Sequence, residues 1–264
     1  MKKILTSKVL ILLITSCALS YAINHNLSYF AKTSSLGNAT VSALGEISAL
    51  SNNPAVANSN KISFGLTEWL LDTRAGSLLG SYLIKNLFVF SGGISYFSYG
   101  QMQAFDEMGH PLDYFSAGLW QYQFNITKQF WKSLSVGIGI QGFQQFIADT
   151  NETKYLLNFG TIYYSDLYNI GMSVHNFSDF SFNSGVLIKA IKNLQIYLAI
   201  NYQEEINIRA GLEYQFYPWA LRIGYDNKHL AFGIGYEQKQ FIFDYALNDY
   251  GQIGLTHQFS ITIK

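Results

Sequence analysis

The chain has 264 residues, with 17 basic and 17 acidic side chains and a net charge of zero, which leaves no electrostatic footprint for nucleic acid. Charged residues make up 13% of it and aromatics 16%, against ~25% charge in an ordinary soluble domain, so a conventional soluble surface is excluded. Beyond the leader no apolar run approaches the ~20 residues of a membrane helix, and strands are left as the elements that face lipid.

Residues 1–22 read as a secretory signal: Lys2, Lys3 and Lys8 form a basic end, Val9 to Ile14 an apolar core, and Ser20-Tyr21-Ala22 a small-residue cleavage site, with the cut expected after Ala22. The lone cysteine, Cys17, lies inside this leader, so the mature chain is expected to be free of disulfides. Lipidation at Cys17 is the alternative processing route.

Residues 23–60 are rich in Ser, Asn and Ala and do not alternate. Val41, Leu44, Ile47 and Leu50 recur every three residues, which predicts one short helix, broken at Asn52-Asn53-Pro54. This segment reads as a plug-like preface to the single domain that follows.

From residue 61 to the end the pattern has period two. In the last segment Ile253, Leu255, Phe259, Ile261 and Ile263 share one face with His257, opposite Gly254, Thr256, Gln258, Ser260 and Thr262. Such alternation fits a sheet with one apolar and one polar face. The polar faces carry little charge and the apolar ones are large and aromatic, so the apolar face is assigned to lipid. Turn signals divide residues 61–264 into about 14 strands, at 61–70, 74–85, 87–104, 115–127, 133–148, 154–164, 168–176, 182–191, 194–202, 205–216, 219–226, 229–237, 240–249 and 252–263. The expected fold is an all-β, closed antiparallel transmembrane barrel, because an unpaired edge inside lipid has no water to satisfy it.

Connections alternate between two classes. Lys85, Lys132, Lys192 and Lys239 mark one class; Asp106, Glu107, Asp113, Asp149, Glu152, Asp179, Glu204, Glu205, Asp226 and Asp249 mark the other. With both termini periplasmic, the acidic class faces outward, and Ala104 to Tyr114 is its longest loop. Trp69, Trp120, Trp131 and Trp219, with Tyr217 and Tyr236, are expected near strand ends as an interface girdle.

No catalytic constellation emerges, so no enzyme and no cofactor are called for. His25, His110, His175, His229 and His257 are too scattered for a metal site, and the many glycines are read as relief for a curved sheet. One constellation stands out. If two-residue turns fall at Tyr217-Pro218, Asn227-Lys228 and Gln238-Lys239, Glu213 faces Arg222, Arg222 faces Gly233, and Gly233 faces Asp244. Glu213, Arg222 and Asp244 then form a charge cluster in the lumen, read first as a structural ion network and second as a ligand contact.

The stretch from Leu36-Gly37-Asn38-Ala39 to Asn53-Pro54-Ala55, and the closing Phe243-Asp244-Tyr245-Ala246 to Phe259-Ser260, resemble FadL-like barrels, in particular the PorV/PorQ branch. Val56, where that branch has Gly, and the terminal Lys264 depart from it. The resemblance implies a barrel of the bacterial outer membrane, with lipid around it and the hatch in its lumen. Its first implication is an accessory role with protein partners of a type IX-like secretion system. The alternative is passive transport of a hydrophobic ligand, with Phe64, Leu66, Val41 and Leu44 as candidate lumen-lining residues.

Overall fold

In the computed structural model, residues 29–70, 73–85, 87–106, 108–131, 133–175, 180–227 and 229–264 are described. The leader, Cys17 and His25 lie outside them, as do Glu107, Lys132 and Asp179.

Period-two sequence becomes strand throughout. The strands are β1 Lys61–Glu68, β2 Arg74–Ile84, β3 Phe88–Phe105, β4 Pro111–Phe130, β5 Leu134–Ile147, β6 Thr150–Tyr164 and β7 Tyr168–His175. The second half holds β8 Ser181–Ile191, β9 Leu194–Gln203, β10 Glu205–Phe216, β11 Trp219–Asp226, β12 His229–Gln238, β13 Phe241–Asp249 and β14 Leu255–Ile263. Each pairs antiparallel with its sequence neighbours, and β1 pairs with β14, Phe64 opposite Ile261, to close a 14-stranded barrel. Closure leaves no edge.

The two faces separate as the alternation requires. Ser63 and Thr67 on β1, and Thr256, Gln258, Ser260 and Thr262 on β14, are buried toward the lumen, while Ile62, Phe259, Ile261 and Ile263 point outward. Phe64 and Leu66 are 46% and 50% exposed on that outer face, which corrects their expected place in the lumen: they share the parity of Ile62, not of Ser63. An arginine on the outer face meets hydrocarbon, so Ile138→Arg, at a position 55% exposed, is expected to lower barrel stability by ~2–4 kcal/mol. Denaturant titration in lipid vesicles checks this, with the unchanged chain as reference.

Among the described residues the connections sort by end as expected, since antiparallel neighbours return every second turn to the same side. Trp131, Tyr217, Trp219 and Tyr236 gather at the Lys end, the rings of Trp219 and Tyr236 4.7 Å apart. Two girdle assignments change. Trp120 lies well inside β4 against Tyr96, at 4.4 Å. Trp69 turns toward the lumen side at the acidic end and contacts Phe97 and Tyr250. The expected Ala104–Tyr114 loop is also shorter. β3 and β4 run on to Phe105 and Pro111, with register shifts after Ser98 and Gln103, because alternating residues in this stretch keep the ladder going. At the tip Asp106 accepts from the backbone N–H of His110 and Met108 and from the His110 ring. These bonds, His110 foremost, hold its carboxyl below the usual range.

The segment before β1 winds through the lumen from the acidic half to the Lys end. The Tyr29 carbonyl lies over Gly65, and Ser59 and Asn60 bond Ser81 and Leu83 as the chain enters β1. A five-residue helix, α1, spans Ala31–Ser35. The helix expected over Val41 to Leu50 does not form. Backbone N–H groups of Ala43, Glu46, Ala49 and Asn52 donate in turn to Thr40, Ala43, Glu46 and Ala49. The period of three is real, but it belongs to a string of turns, of which Ile47–Ala49 forms one 3-10 turn. Gly45 takes φ +86° within it, a conformation that breaks an α-helix.

Candidate functional site: the plugged lumen

Asn53-Pro54-Ala55, the hatch motif, seats the plug on β4–β7. Asn53 is fully buried, and its Nδ2 donates to the carbonyls of Val41 (2.8 Å), Thr161 (3.2 Å) and Met172 (3.3 Å). Its Oδ1 accepts from the Ala55 N–H at 2.9 Å. Thr127 and Ser135 donate from the wall to the carbonyls of Pro54 and Ala55, each at 2.7 Å. Beside them Ser173 donates to the Asn52 carbonyl, which His175 also contacts. The polar parity of the strands thus satisfies a plug backbone that has no sheet of its own.

Wall glycines make this seat possible. A Cβ at Gly160 would lie 2.0 Å from Asn53 Oδ1, and one at Gly137 2.4 Å from the Pro54 carbonyl. Gly171 meets Val41 at 2.3 Å, Gly224 meets the Gly37 N–H at 2.1 Å, and Gly233 meets Ser35 at 2.3 Å. These glycines therefore do more than relieve curvature; they let the plug backbone touch the wall. Gly37 itself combines φ +60° with contact to the Tyr225 backbone, so no side chain fits there.

The expected charge cluster exists, with one change of register. Glu213 pairs with Arg222, and Arg222 with Gly233. Gly233, however, faces Ala246, while Asp244 faces Gly235. The β12–β13 turn falls at Lys239-Gln240, where Lys239 takes φ +54°, one residue later than expected. A one-residue move of the turn shifts the pairing by two, so Asp244 keeps its lumenal parity. The guanidinium of Arg222 crosses Gly235 to reach Asp244 at 2.7 Å and bonds Glu213 through Nε. Two partners come from the plug: Lys32 lies 2.8 Å from Glu46 and 3.8 Å from Glu213. A second tie joins Asn38 to Asp226, which also pairs with Arg209 at 3.0 Å. Sequence pairing found the wall members of the cluster; Lys32 and Glu46 carry no register signal because the plug is not a strand.

Toward the acidic end the lumen turns apolar on one side. Ala75, Phe97, Leu119, Phe143 and Leu156, from β2 to β6, pack with Tyr29 of the plug, and Trp69 and Tyr99 edge the cluster. Tyr29 and Phe97 have ring centroids 6.3 Å apart. These residues sit at positions where neighbouring turns of the same strands carry Ser, Gln and Asn. That break in parity is the signal sequence reading passed over. Val41 is in the lumen as expected, against Leu187, Tyr197 and Ala199, and half-buried Leu44 packs near Ile47. Among the described residues no group of His, Cys, Asp and Glu is arranged to hold a metal ion.

No known protein family and no curated protein matches the sequence. Solved structures do match. The Pseudomonas putida toluene transporter TodX aligns with a TM-score of 0.69 at 12% identity, covering 89% of this chain and 96% of its own. The Ralstonia pickettii toluene transporter TbuX gives 0.65 at 11%, over 91% and 98%. A Pseudomonas aeruginosa FadL homologue gives 0.65 at 10%, over 90% and 98%. Two of these neighbours are named as toluene transporters, and none of the three as an enzyme. They correct the first reading of the sequence, a PorV/PorQ-type secretion accessory with protein partners, for which they give no support. The motif that suggested that branch reports how a plug is seated, and a seat carries no information about a partner. By its closed barrel, its strand number and its likeness over nearly the whole chain, the protein has the fold of FadL-like outer-membrane barrels.

Proposed function

We propose that this protein is a passive channel for hydrophobic small molecules in the bacterial outer membrane, exported by residues 1–22. The observation that carries this reading is the apolar cluster of Phe97, Leu119, Phe143 and Leu156 on the lumenal side of β3–β6, near the acidic end. Burying a CH₂ group is worth about 0.8 kcal/mol, so a small hydrocarbon entering from the acidic end would gain by lodging there. Passage onward requires the plug to shift, and net flow is downhill, driven by consumption inside the cell. The shared fold with toluene transporters supports the same reading.

The test is uptake. Cells expressing the protein should take up radiolabelled toluene faster than cells lacking it at limiting concentration. Phe143→Asp should abolish the gain, since a carboxylate in the cluster repels an apolar solute. Equal uptake in the presence and absence of the protein would overturn the proposal. Outer-membrane recovery and a mobility shift between boiled and unboiled samples establish that the variant is folded.

A further inference from the structure

Between the apolar cluster and the Asn53-Pro54-Ala55 seat lies a layer of carboxamides. Going down β4 from Leu119, the lumenal positions are Gln121, Gln123 and Asn125, and then Thr127, which holds the plug. Gln141 on β5 faces Gln123. Gly139 stands between Asn125 on one side and Asn158 on the other. The Asn125 carboxamide leans over Gly139, where a Cβ would come within 1.9 Å of its Oδ1. Asn125 and Asn158 are 0% and 3% exposed, and neither the oxygen nor the nitrogen of either side chain has a hydrogen-bond partner among the described residues. Two whole carboxamides left unsatisfied in one layer are unusual, because buried polar groups are almost always paired. Every buried polar side chain on β4–β6 is uncharged, whereas Arg209, Glu213, Arg222 and Asp244 are confined to β10–β13.

We infer that this layer binds the uncharged polar head of an amphipathic ligand, a hydroxyl or carbonyl, while the ligand's apolar part rests on Leu119, Phe143 and Leu156. This rests on the channel reading and narrows its substrate class. A hydroxyl donates to one carboxamide oxygen and accepts from a carboxamide nitrogen, so it satisfies atoms that a hydrocarbon leaves bare. A carboxylate finds donors but no countercharge among the buried side chains of these strands, and entry strips its hydration.

The test uses the full-length protein in lipid nanodiscs and calorimetric titration with three probes that share one apolar part: butylbenzene, 4-phenyl-1-butanol and 4-phenylbutyrate. Empty nanodiscs supply the correction for partition into lipid. The alcohol is expected to bind about tenfold or more tighter than either of the others. Asn125→Leu and Asn158→Leu should each erase that preference and retain butylbenzene binding. Equal affinity for alcohol and hydrocarbon in the unmodified protein, a comparison that needs no variant, would overturn the inference and leave the channel reading standing. An alcohol preference unchanged in both variants would overturn the assignment to these residues. Binding of none of the three probes would overturn both readings.

Discussion

Gly160→Leu is expected to convert a plugged barrel into a conducting one without opening the strand ladder. Gly160 lies under Asn53, with Asn53 Oδ1 and Pro54 Cδ at 2.0 and 2.8 Å from where a Cβ would stand. A leucine there cannot share the space, and of the two partners the plug is the one that moves. β6 is held by ladders on both sides, whereas Asn53 is held by single bonds to three carbonyls. Overpacking of this kind costs about 1–3 kcal/mol when nothing yields. Displacement of the plug replaces that strain with lost hydrogen bonds. In planar bilayers the variant should show ion conductance well above that of the unmodified protein, with the mobility shift on boiling retained. Gly80→Ala, at a position with nothing within 4 Å of the new Cβ, is the control and should conduct like the parent. Adding Asn53→Ala to Gly160→Leu removes the colliding carboxamide, so the pair should deviate from additivity in the direction of rescue. Conductance unchanged by Gly160→Leu would show that the Asn53 seat is not what closes the lumen.

Arg222→Met carries the second large effect. Arg222 is the shared cation of Glu213 and Asp244, and all three side chains are at most 3% exposed. Removing it leaves Asp244 without its cation and Glu213 with only the more distant Lys32, 3.8 Å away, and breaking a buried pair predicts a loss of ~3–5 kcal/mol. The triple change Glu213→Gln, Arg222→Met and Asp244→Asn removes the charges together and should recover most of that loss, because the desolvation of all three ions is relieved at once. Urea titration of refolding into vesicles separates the two. A triple variant as unstable as Arg222→Met would mean that the cluster matters for its shape and hydrogen bonds rather than its charge.

Much of the barrel was legible because a strand's faces differ by one residue. Ile206, Ile208 and Leu212 against Arg209 and Glu213 could be sorted without knowing any contact, and the alternation of Lys and acidic turns follows from parity alone. Register depended on locating each turn, and Lys239 shows the limit: a lysine in a left-handed turn carries no sequence mark. The lumen was less legible. Phe64 and Leu66, candidates for the lumen, share the parity of Ile62, and that parity alone sets them on the outer face. Leu119, Phe143 and Leu156 were visible as apolar residues on a polar phase, but only a count of exceptions rather than of agreements would have raised them. The plug hid most. Its repeat of three matched a helix as well as a chain of turns, and its wall partners lie far along the chain, as with Asn53 and Thr161, 108 residues apart.

The turn-by-turn winding of the plug has a mechanical consequence. A helix resists pulling as a unit, because its hydrogen bonds support one another along the axis. Here each turn closes locally and each tie to the wall is separate, from Ala55 at Ser135 to Asn52 at Ser173 and Ser34 at Asn248. A load applied at one end therefore meets these ties one after another, like stitches in a seam. The force needed is set by the strongest single stitch and not by their sum. The last residues before β1 stay tied to the Lys end through Ser59 and Asn60, so an unpicked plug remains tethered and can be resewn.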